Sequence, residues 1–100
     1  MDKYCFSLVC AAAIEEKLLD SLLTNFGDEI FISLPTSSHG TAHGRLNALE
    51  QVLGRSQSAY IQILLTAAQT ETLRTILRAD FTGTGIRYWA SPVSTEGEVS

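Results

Sequence analysis

Basic side chains are scarce in this chain: seven Lys and Arg stand against eleven Asp and Glu, for a net charge of −4. A face that grips a phosphate backbone needs the opposite balance, so nucleic acid is excluded as a partner. Long apolar runs are missing too. None reaches the ~20 residues that span a bilayer, and the opening Met-Asp-Lys-Tyr alternates acid and base ahead of a brief apolar run, unlike a secretory leader. A cytoplasmic location without membrane insertion is the expectation. Only two cysteines occur, Cys5 and Cys10. Their odd spacing on one predicted strand points them to opposite faces, which excludes a disulfide between them, and both read as reduced, buried thiols. The sequence holds no C-x-x-C, no H-E-x-x-H, no P-loop and no G-x-S-x-G. Acids outside the middle of the chain fall on solvent-facing helical positions, so an enzyme is not expected.

What the chain does have is one pattern used twice. An apolar run from Tyr4 to Cys10 leads to an amphipathic segment from Ala12 to Phe26 and a β-rich run from Glu29 to Leu34. The series then repeats as Ala59 to Leu65, Ala67 to Phe81 and Ile86 to Val93. Ile14, Leu18, Leu22 and Phe26 form one helical stripe, widened by Leu19 and Leu23. Leu73, Ile76, Leu77 and Phe81 form the other. Gly27 reads as a left-handed cap on the first helix, Thr66 and Gln69 have capping-box spacing before the second, and Pro35 should weaken pairing of the second strand. Strand-helix-strand used twice over residues 1–100 predicts a single α+β domain, a ferredoxin-like (βαβ)x2 antiparallel sheet with two helices on one face. A long loop at about 36–57 and a polar tail at 94–100, expected to fray, complete it.

Two helices cover only one face of such a sheet. Val9, Phe31, Leu64 and Trp89 fall on alternating positions that would face away from them, and an apolar surface of that kind predicts association between copies of the chain. The middle loop carries His39 and His43, each followed by glycine. Neutral imidazoles are ligands for copper, zinc or nickel, so this pair is a candidate site for a divalent or monovalent transition metal ion, to be completed by symmetry mates, Glu50 or the tail. Two solvated loop histidines would look the same. Thr82-Gly-Thr-Gly, with Arg55 and Arg87 for charge, is a candidate anion cradle through Gly83 and Gly85, though a plain helix-to-strand turn explains the same residues and is the preferred reading.

The doubled motif with a long loop after its second strand, and Thr82-Gly-Thr-Gly before its last, resembles the PII-like signalling superfamily. At the level of fold this is shared with the divalent-cation tolerance protein CutA. Ser38-His-Gly, Leu49-Glu-Gln-Val-Leu-Gly-Arg and Arg87-Tyr-Trp-Ala-Ser-Pro-Val are similar to a small bacterial branch often encoded beside heavy-metal efflux pumps of the resistance-nodulation-division type. The resemblance implies a homotrimer with sheets lining its interior, ligands in the clefts between subunits, and signal transduction through a loop that contacts a partner, such as a membrane efflux transporter. It implies a role in copper, silver or zinc homeostasis, with adenine-nucleotide sensing as the alternative. Nucleotide is the less favoured ligand: Ser58 stands where PII proteins place a lysine, the glycine turn lacks one, and the tail beyond Val93 has no base.

Overall fold

The computed structural model describes residues 2–40 and 55–100. The described residues form β1 (Lys3–Ala11), a short 3-10 turn (Ala12–Ile14), α1 (Glu15–Asn25), β2 (Phe31–His39), β3 (Arg55–Thr66), α2 (Ala67–Asp80) and β4 (Arg87–Val93). The strands make one antiparallel sheet in the order β2-β3-β1-β4, and both helices pack on one side of it. This is the expected (βαβ)x2 arrangement.

The core lies between helices and sheet. Phe6, Leu8, Ile61, Ile63 and Leu65 project from the two central strands onto Leu18 and Leu22 of α1 and Leu73 of α2, all essentially without solvent exposure. Each such side chain stabilises the fold by about 1.5–3 kcal/mol relative to an exposed position. Leu23 is the exception in the α1 stripe, since it lies mostly in solvent.

The duplication extends to the way each helix stops. The amide of Phe26 donates to the Leu22 carbonyl at 2.8 Å, and that of Phe81 to the Leu77 carbonyl at 3.0 Å. Both phenylalanines are buried, and each accepts at its own carbonyl from the turn that follows, from Glu29 in one copy and Thr84 in the other. The first turn of α1 is tied to the end of α2: the Lys17 ammonium donates to the Asp80 carbonyl at 2.8 Å and sits 4.7 Å over the Phe81 ring, placing a cation where the α2 dipole is negative. At the start of α2 the capping box is complete, with Gln69 N–H donating to Thr66 Oγ1 and Thr66 N–H to Gln69 Oε1.

Several expectations are corrected. Pro35 does not end the pairing, which continues to His39 opposite Arg55. The second strand lies at an edge of the sheet, where a proline can sit with its missing donor toward solvent. Residues 36–39 and 55–57, assigned to the loop, are therefore strand. The phase of β2 is also opposite to the expected one. Phe31 lies opposite Ile63, a core residue, and packs on the helix side, which leaves Ile32 and Leu34 facing outward. Gly27 is not left-handed; positive φ occurs at Gly40, Gly83 and Gly85. Gly27 is required for space instead, because a Cβ there would lie 2.8 Å from the Leu23 carbonyl oxygen.

Substituting Gly27→Ala is expected to cost about 1–3 kcal/mol through this backbone clash, while Gly97→Ala, with nothing near its added methyl, should be neutral. Urea denaturation of both variants measures the difference, and equal midpoints would contradict the close approach. Thr66→Ala should cost about 1 kcal/mol in the same assay.

Candidate functional site

Three regions outside the core carry chemistry: the loop end of the sheet, its uncovered face, and a cleft at the opposite end of that face. At the loop end, His39 closes β2, exposed, and the ladder sets it opposite Arg55. Pairing of β2 with β3 alone extends beyond β1, which stops at Ala11 opposite Ser58. The ribbon is fastened by a 2.6 Å hydrogen bond between the Ser38 and Ser58 hydroxyls. His43 and Glu50 lie outside the described residues, and so does the second half of the candidate histidine pair. Among the described residues no group of three His, Cys, Asp or Glu side chains is placed to hold a metal ion.

Gly83 and Gly85 adopt φ of 81° and 78° between α2 and β4. A Cβ at Gly83 would meet nothing within 4 Å, so its conformation and not crowding calls for glycine. The hydroxyls of this turn look back at the helix: Thr84 Oγ1 donates to the Phe81 carbonyl at 2.7 Å, and Thr82 Oγ1 to the Arg78 carbonyl. The turn thus satisfies carbonyls that α2 leaves open at its C-terminus. Arg87 follows it, exposed, opposite Val9 at the start of β4. Gly83, Gly85 and Arg87 are therefore brought together. Arg87 is level with Leu34 and Tyr60, so His39 lies three strands across and five residues further along, about 20 Å away. Within one chain the two groups do not converge on a single ion.

The uncovered face is half apolar. Ile30, Ile32, Leu34 and Trp89 are 78, 50, 52 and 49 % exposed. Val9, Leu64 and Trp89 face this way as expected; the outward residues of β2 are Ile32 and Leu34, and Phe31 is not among them. Across its middle, the Tyr60 and Trp89 rings stack at 6.2 Å. Below them runs a polar string: Gln62 Nε2 donates to Tyr60 Oη at 2.7 Å, Tyr60 Oη to Ser7 Oγ at 3.4 Å, and Ser7 Oγ lies 3.9 Å from Cys5 Sγ. Ser7 is buried although no helix covers it. Alternation along β1 and β3 sets Ser7 and Gln62 on one face, and the register between the strands brings them together.

The two cysteines differ. Cys10 is buried on the core side, whereas Cys5 is only half-buried on the uncovered face, so the expectation of two buried thiols holds for one. Burial, helped by the Glu15 carboxylate and opposed by a hydrogen bond from the Ala59 backbone, pushes the Cys10 thiol from 9.0 up to about 11. Cys5 instead borders the cleft of about 490 Å³ where the uncovered face meets the start of β2 and the C-terminal tail. Glu96, Gly97 and Glu98 line it, while residues 94–100 are all exposed.

With this geometry in hand, comparison with known proteins fixes the family. The model of the family described as "Protein of unknown function (DUF3240)" matches residues 1–100, and the chain belongs to that family. The fold is that of PII-like proteins. A DUF3240 family crystal structure from Shewanella baltica is similar with a TM-score of 0.77 at 19% identity, covering 98% of this chain and 97% of that one. CPII from Thiomonas intermedia, a nitrogen regulatory PII-like protein bound to ADP, AMP and bicarbonate, gives 0.73 at 12%, covering 99% and 98%. Bacillus subtilis GlnK in its ATP complex gives 0.61 at 16%, covering 93% and 83%. No curated protein matches the chain.

Because the Cys10 pKa is raised in the fold, the unfolded thiol releases its proton first as pH rises, and the native state loses stability from pH 9 up to about 11, then levels off. Denaturation midpoints of the native chain and Cys10→Ala across that window measure this: the decline should flatten in the variant, and an unchanged slope would contradict it.

Proposed function

We propose that this chain is a non-enzymatic PII-like regulatory binding protein that works as a homotrimer, its uncovered sheet faces sealed against one another. The observation that carries the reading is the exposure of Ile30, Ile32, Leu34 and Trp89 on one side of a sheet whose other side carries the buried core. A monomer would keep that apolar surface in water, and burying it between copies returns roughly 25 cal/mol for each Å² removed. The separation of the His39–Arg55 edge from the Gly83, Gly85 and Arg87 edge supports the same assembly. A ligand that used both would draw them from two chains.

For the ligand, the first reading is a transition metal ion, copper, silver, zinc or a related ion, held by His39 and His43 in an assembly linked to heavy-metal homeostasis or efflux. The loop would then contact a partner, a membrane efflux transporter or another protein. The presence of His39 at the exposed tip of β2 supports it. The second reading is an adenine nucleotide in the intersubunit cleft, with Arg55 and Arg87 facing its phosphates and Gly83 and Gly85 approaching them. The nucleotides held by the Thiomonas intermedia and Bacillus subtilis proteins favour it.

Trp89 is the chain's single tryptophan and lies on the face to be sealed, so its fluorescence reports assembly directly. Emission should be blue-shifted at working concentration and move to the red in Ile32→Glu; a red, concentration-independent emission in the parent chain would remove the trimer. Thermal shifts separate the ligands, since a ligand bound to the native state alone raises the midpoint. Under the first reading copper, silver, zinc or nickel raises it and His39→Ala/His43→Ala does not respond. A rise with ATP or ADP and none with metals selects the second.

A further inference from the structure

We draw no further inference here: the strongest candidate, the outer edge of β4 from Arg87 to Val93, exposed at every residue before Val93, carries nothing because nothing in the structure shows what covers it.

Discussion

A four-stranded sheet has two faces, and a chain that supplies only two helices can pack one of them. In this protein the packed face takes Phe6, Leu8, Ile61, Ile63 and Leu65, and holds the fold together. The other face keeps Ile32, Leu34 and Trp89 at about half their full exposure. Everything proposed for the molecule depends on how that second surface is satisfied. It is not a simple apolar sheet either, since Ser7, Tyr60 and Gln62 run a hydrogen-bonded string through its centre. The bonds of that string are made within one chain, between the side chains of Gln62, Tyr60 and Ser7.

The two ends of the sheet differ in chemistry. Toward the loop end His39 pairs with Arg55 on the β2-β3 ribbon beyond β1, and Gly83, Gly85 and Arg87 lie near the β4 edge. At the far end Asp28, Glu29, Glu96 and Glu98 surround a cleft with apolar walls.

Much of the architecture was legible in the residues themselves. Helical stripes ending in Leu22 with Phe26 and in Leu77 with Phe81 announced the duplication, and the structure repeats it down to the capping hydrogen bonds. Thr66 and Gln69 announced the start of α2. Other features depended on information that spacing does not carry. Alternation shows that β2 has two faces but not which one meets the helices; the register with Ile63 decides that, and it turned Phe31 inward. Gly27 was legible as a glycine that matters, yet its reason, a backbone carbonyl 2.8 Å from any Cβ, is a matter of packing. The acidic cleft draws on Lys3, residues 28–32, 62–64 and 96–98, and only the folded chain brings those four stretches together.

The most direct test of the account is the mass of the particle in solution. Sedimentation equilibrium of the purified chain should return three times the 10.9 kDa chain mass, and that value should fall toward a single chain when Ile32 and Leu34 are both replaced by Glu. A parent protein that sediments as a single chain across the concentration range would contradict the claim that sister copies seal the uncovered sheet.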